Sequence, residues 1–205
     1  VMGKLDELAG KRQNKFPQHC KMVNDASQTF TWVLDSKPVP VISEHMGAAM
    51  FTGNKLLTAN KGDEAQTAFV KKMQATLQAL QAFVKDNHAA GVAWNSAAGG
   101  ASNAPAAAAS GAAAGGDFSA VKSAAAAFAA AGEALGGEAA EAAKLLAAGV
   151  DAQGAFVAKA VTIPKAEGDA LQAMLAPISD VMGKLDELAG KRQNKFPQHC
   201  KMVND

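Results

Sequence analysis

Apolar side chains recur along this chain at helical spacing, in six runs, and no segment alternates convincingly with a period of two. Phe16, Cys20, Val23, Phe30 and Leu34 make the first run. After the breaker "KPVP", Ile42, Met46, Ala49, Met50, Gly53, Leu56 and Leu57 make the second. "KGDEA" then supplies a turn with Asp63 as a candidate helix N-cap. Phe69, Met73, Leu77, Leu80 and Val84 form the third run, which closes near "NHAAGVAW". Further on, Phe118, Val121, Ala125 and Phe128 form a short stripe stopped near "LGGEA", and Leu146, Val150, Val157 and Val161 form another, stopped by "TIPKAEGD". Leu171, Met174, Leu175, Ile178, Leu185 and Leu188 make the last, in which Pro177 predicts a kink or a late start. Six helices with short connections predict an all-α fold, an antiparallel six-helix bundle.

Residues 96–117, "SAAGGASNAPAAAASGAAAGGD", carry no apolar stripe and read as a flexible linker. They divide a helical block at 1–95 from one at 118–205, which together are expected to form one bundle. Residues 181–205 repeat residues 1–25 letter for letter. Each copy holds the end of one helix, the stretch "GKRQNK", and the start of the next helix. This predicts that the late copy supplies the first of these helices and the early copy the second. Residues 1–10 and 196–205 would then be surplus within one bundle, and would fray or pair with another molecule as a domain swap. A coil of the linker's length reaches roughly 25 Å, so closure within one chain is feasible.

Composition narrows the function classes. The net charge of +1 gives no bulk electrostatic case for nucleic acid or an anionic membrane. Lys122, Glu133, Glu138, Glu141 and Lys144 interrupt the alanine-rich tract, so it does not read as a membrane span. The charged, amphipathic start at Val1 does not read as a signal peptide. Cys20 and Cys200 are one motif position repeated, so a unit has a single cysteine, which fits a reducing compartment.

Reaction chemistry is hard to find in the residues. The linker lacks a GK[ST] signature, and "AGKRQ" has Arg12 where a Ser or Thr would hold magnesium. His19 and Cys20 are adjacent, so they point about 100° apart on a helix and do not make a nucleophile–base pair. Cys20 is expected in the core with His19 at its edge, and Met46, Met50 and Met73 are expected to fill core gaps. Trp32 is expected inside and Trp94 toward the surface. No metal site, cofactor or catalytic residue is implied. The basic stretch at Gly10–Lys15 reads either as a solvated loop or as a contact for an acidic partner.

Taken in the order "LAPIS", Phe16 with His19, Trp32, Lys37–Pro38, "AAMF" at Ala48–Phe51, Asn54 with Leu56, and "GVAW" ending at Trp94, the chain resembles the N-terminal helical domain of cyclase-associated protein, an actin-turnover factor. "LGGEA" at Leu135–Ala139 sits where that family has a similar Gly-Gly turn. The order departs from the family's, which runs 118–205 and then 26–95. The chain is therefore a circular permutant with an overlap, or an excerpt of a tandem array. The resemblance does not extend to the family's coiled-coil, Pro-rich and β-domain segments, so cyclase binding and nucleotide exchange are not carried over.

The resemblance implies a non-enzymatic actin-binding module that promotes cofilin-dependent filament disassembly at the pointed end, with actin and cofilin as partners. It implies a cytoplasmic location on the actin cytoskeleton. The alternatives are a structural bundle that self-associates as a homo-oligomer or domain-swapped dimer, and a lipid-binding bundle, which the narrow apolar stripes disfavour. Candidate actin or cofilin contacts are Lys11, Arg12, Asn14 and Lys15 with the duplicates Lys191, Arg192 and Lys195. Lys37, Asn54, Lys55 and Trp94 complete the set.

Overall fold

The computed structural model describes residues 4–5, 7–8, 11, 13–95 and 116–174. Five helices have bounds of their own: α1 (Pro17–Ser27), α2 (Pro38–Ala59), α3 (Glu64–Asn87), α4 (Ser119–Leu135) and α5 (Gly137–Ala160). A sixth, α6, covers 165–174, and Lys4, Leu5, Glu7 and Leu8 are also helical. The fold is an all-α, six-helix bundle with no strand among the described residues. An isolated bridge between Asn95 and Pro164 is the one exception to purely helical pairing there.

Local chemistry sets the ends. α1 and α2 each open with a proline in the first turn, where the missing amide costs nothing. Asp63 caps α3, its carboxylate accepting from Gln66 N at 3.1 Å, with Glu64 in the first turn and Lys85 in the last to complement the helix dipole. Between α4 and α5, Gly136 and Gly137 hold φ of 75° and 53°, a left-handed pair that only glycine adopts cheaply.

The first apolar run does not form one α-helix. α1 stops at Ser27, and a 3-10 helix takes over from Gln28 to Leu34. Ser27, Thr29 and Thr31 explain the change, because each hydroxyl donates to the carbonyl three residues back, to Asn24, Ala26 and Gln28. Such bonds compete with the α-helical ladder. The tighter turn brings Thr29 and Trp32 inside and leaves Phe30 and Leu34 half-buried.

The core lies in two clusters along the bundle. One gathers Leu5, Leu8, Cys20, Met22, Val23, Phe69, Met73, Phe128 and Leu146. The other gathers Trp32, Ile42, Leu80, Val84, Phe118, Val121, Val150 and Val157. Both draw on helices from either side of the Ala/Gly-rich stretch, and Phe30 packs against both. Met73 is core as expected, and Met46 and Met50 pack against its edge. Trp32 is fully buried, with Nε1 donating to Gln153 Oε1 at 3.1 Å. Gln153 Nε2 in turn donates to the Phe30 carbonyl, so one amide ties α5 to the 3-10 helix.

Two expectations are corrected. Residues 1–10 are not surplus, because Leu5 and Leu8 are buried in the first cluster. Burial of a leucine contributes about 1.5–3 kcal/mol, and a short loop to α1 closes more cheaply than a return from far along the chain. The late copy, residues 181–205, lies outside the described residues. Leu171 and Met174 of α6 are exposed rather than inward-facing. Pro177 and the remaining positions of that run lie outside the described residues.

Candidate functional site

α2 buries Pro38, Ile42, Ala49, Thr52, Gly53 and Leu56, which fixes the phase of the helix. Phe51, Asn54, Lys55 and Thr58 consequently face outward. Phe51 is 64 % exposed, and Lys55 Nζ stands 4.2 Å from its ring centroid, one helical turn on. A cation over an aromatic ring at an exposed site contributes about 0.5–1 kcal/mol. With Thr58 and Ala59 these residues line a shallow groove of about 390 Å³. An exposed phenylalanine is costly to hydrate and is a natural anchor for a partner. The family resemblance drew attention to Asn54 and Lys55 as contacts but not to Phe51. Its signal lay in the i, i+4 pairing with Lys55, about 100° around the helix from Thr52 and Leu56.

The basic loop is only partly free for contact. Lys11 and Lys15 are exposed, and Lys11 Nζ lies 3.8 Å from Glu141 of α5, an exposed pair of little energetic weight. Asn14 is committed within the fold: Nδ2 donates to the Leu8 carbonyl at 2.7 Å and approaches Cys20 Sγ, while Oδ1 accepts from Phe16 N. Arg12, Lys191, Arg192 and Lys195 lie outside the described residues.

Lys37 and Trp94 are connected only indirectly, through Asp35 and Gln172. Trp94 is half-buried, edge-on to Phe156 with centroids 6.3 Å apart, and its Nε1 donates to Gln172 Oε1 at 3.4 Å. Gln172 Nε2 reaches the Asp35 carbonyl, and Asp35 Oδ1 accepts from Lys37 N. Residues far apart in sequence are thus linked through α6. Lys37 and Asn54 sit on one helix about 25 Å apart at about 1.5 Å per residue, so the candidates form separate patches rather than one site.

His19 and Cys20 behave as core. His19 Nε2 donates to Gln66 Oε1, and its ring packs against Phe16 and Phe69. Burial lowers the His19 pKa below its ordinary 6.5, partly offset by the Gln66 bond, and burial raises the Cys20 thiol. A neutral imidazole and a protonated thiol are poor nucleophilic chemistry. Lowered folded-state affinity means the unfolded chain binds the proton more readily, so the stability linked to His19 is complete above pH 6.5 and declines as pH falls below it. The unfolding midpoint of His19→Gln is expected to fall less steeply than wild type between pH 6.5 and 5, and equal slopes would remove His19 as the cause. Among the described residues no three His, Cys, Asp or Glu side chains group as metal ligands, and no helix is long and apolar enough to cross a membrane.

The fold defines an all-helical bundle domain. The chain belongs to the family described as CAP, N-terminal domain, whose model matches residues 1–92 and 118–205, on either side of the Ala/Gly-rich stretch. As a member it is a non-catalytic regulatory module. It is 34 % identical over 86 residues to adenylyl cyclase-associated protein 1 of Mus musculus, covering 41 % of this chain and 18 % of that protein. The Homo sapiens protein of the same name matches with the same identity and coverage. Adenylyl cyclase-associated protein of Dictyostelium discoideum is 29 % identical over 102 residues, covering 49 % of this chain and 22 % of its own length. The chain thus spans 18–22 % of the length of these curated relatives. No solved structure matches it at a significant level.

Proposed function

We propose that this chain binds cofilin-decorated actin and promotes subunit loss at the filament pointed end. Family membership supports the reading. The observation that carries it to particular residues is the exposed Phe51 beneath Lys55, with Asn54 beside it, on the outward face of α2. An aromatic anchor ringed by a cation and an amide suits a partner surface that is acidic and grooved. A bundle that fits terminal subunits better as they detach than while they are seated lowers the barrier to loss, with no bond broken by the module.

The test is pointed-end depolymerisation of cofilin-saturated filaments. Wild type is expected to accelerate loss, and Phe51→Ala/Lys55→Glu to reduce that acceleration about tenfold or more while circular dichroism stays helical. No acceleration by wild type would overturn the function. Acceleration that survives the double substitution would remove the α2 patch. Reversing Lys11, Arg12 and Lys15 together measures the loop's share.

A further inference from the structure

Gly47 stands exposed in the interior of α2, with nothing within 4 Å of where a Cβ would be. The fold does not require a glycine there, and glycine disfavours a helix interior relative to alanine. The missing side chain leaves a notch in the outward surface of the helix. One turn on, Phe51 projects from the same face and is largely exposed. Glu44 and Lys55, both exposed, flank this pair. They are about 16 Å apart along the helix and within about 20° of one line on its surface.

The order along this face is acid, notch, ring, base, at positions 44, 47, 51 and 55. Notch and ring are centred near position 49, and so are acid and base. Turned end for end about that centre, the face becomes its own complement. An antiparallel second copy sets its Phe51 over Gly47 and its Lys55 beside Glu44, and receives the same two contacts in return. A parallel copy in register sets base against base and ring against ring, so charge selects the antiparallel arrangement. Lys55 already lies along the Phe51 ring, which keeps the base on this face. Packed helix axes lie about 8–10 Å apart, and the short end of that range needs a small side chain at the crossing. Gly47 supplies it, with the exposed Ser43 and Ala48 to either side.

We propose that α2 pairs with α2 of a second copy of this chain, antiparallel and twofold, with Phe51 over Gly47 and Lys55 beside Glu44. A contact made by one helix face per copy falls below roughly 1,200 Å² of total buried surface, the class of weak and transient contacts. Half-pairing is therefore expected at a chain concentration on the order of 0.1 mM. Such a contact forms where copies are crowded or tethered together. The pairing itself needs no actin. It covers Phe51, however, so in a consequence that rests on the actin reading above, the pair is the form that withholds this patch.

Sedimentation equilibrium of the full chain, without actin, from about 5 µM to about 1 mM tests it. Wild type is expected to pass from monomer to dimer and to stop there. Phe51→Ala, Lys55→Glu and Glu44→Lys are each expected to weaken pairing about fivefold or more. Lys55→Glu/Glu44→Lys is expected to restore it, because each exchanged charge then meets its opposite on the other copy. Within one helix the two positions are about 16 Å apart, so that rescue cannot arise inside a chain. All three positions are exposed, and circular dichroism checks that every variant stays helical. A monomer throughout the range overturns the proposal. So does open-ended growth, association that Phe51→Ala leaves unchanged, or a double exchange no better than either single one. The measurement contains no actin, so failure of the actin reading leaves its outcome untouched.

Discussion

Trp32→Ala is expected to cost about 3–5 kcal/mol, the largest loss among single truncations at a described side chain. Trp32 is fully buried, and three sets of contacts depend on it. Its ring packs on His88 with centroids 5.3 Å apart. Its volume fills the second cluster between α2, α3 and α5. Its Nε1 satisfies Gln153 Oε1, which in the variant remains in a buried setting without that donor. For a domain of this size the change corresponds to a drop of roughly 6–20 °C in thermal midpoint. Trp32→Phe keeps most of the volume and loses the hydrogen bond, so it is expected to cost about 1–3 kcal/mol. Denaturant unfolding of both variants checks the pair. A loss below about 1 kcal/mol for Trp32→Ala would mean that the cavity collapses and the 3-10 helix does not need the ring.

Gly132→Val is expected to cost about 3 kcal/mol for the opposite reason, too much matter rather than too little. At Gly132 α4 and α5 approach closely: a Cβ there would lie 2.4 Å from Ala143 Cβ and 3.1 Å from the Ala139 carbonyl. Neither neighbour can swing aside, since one is the first atom of its side chain and the other is backbone. An alanine at position 132 would gain about 1 kcal/mol in helix propensity and still meet the same two atoms. Ala143→Gly removes the nearer obstacle, so a double-mutant cycle is expected to show Ala143→Gly rescuing part of the Gly132→Ala loss. Strict additivity would show that the helices separate freely at this point.

Much of this architecture is legible in the sequence, for identifiable reasons. The long runs at helical spacing locate α2, α3 and α4 because their burial is one-sided. Asp63 can be read as a cap and "LGGEA" as a turn because both rest on local backbone chemistry. The failures have separate causes. The run through Phe30 and Leu34 looks continuous, yet three hydroxyls redirect the backbone. α5 carries the predicted run of Leu146, Val150 and Val157, all buried, but Ala139, Ala142 and Ala143 extend its buried face beyond that run, where small side chains gave no stripe to read. The placement of Leu5 depends on which of two identical segments is nearer to α1, which periodicity does not encode.

The candidate site is legible in part for the same reason. Asn54 and Lys55 share a face with Phe51, a phase relation that becomes visible once Thr52 and Leu56 are known to be inside. Asn14 looks like one more polar residue in a basic stretch, but the fold uses its amide to close the loop. The link from Trp94 to Lys37 runs through Gln172 and Asp35, residues that no motif singles out.

The division of the core into two clusters, with Phe30 packing against both, gives the bundle a seam across its length. A structure built this way is expected to open in portions, which hydrogen exchange would read as two groups of amides with different protection. The end around Trp94 can loosen while the end around Phe69 and Phe128 stays shut, because little apolar surface must be exposed in common. A partner that gripped one end would draw on a local opening rather than on the stability of the whole. The module can yield at its grip without losing its shape.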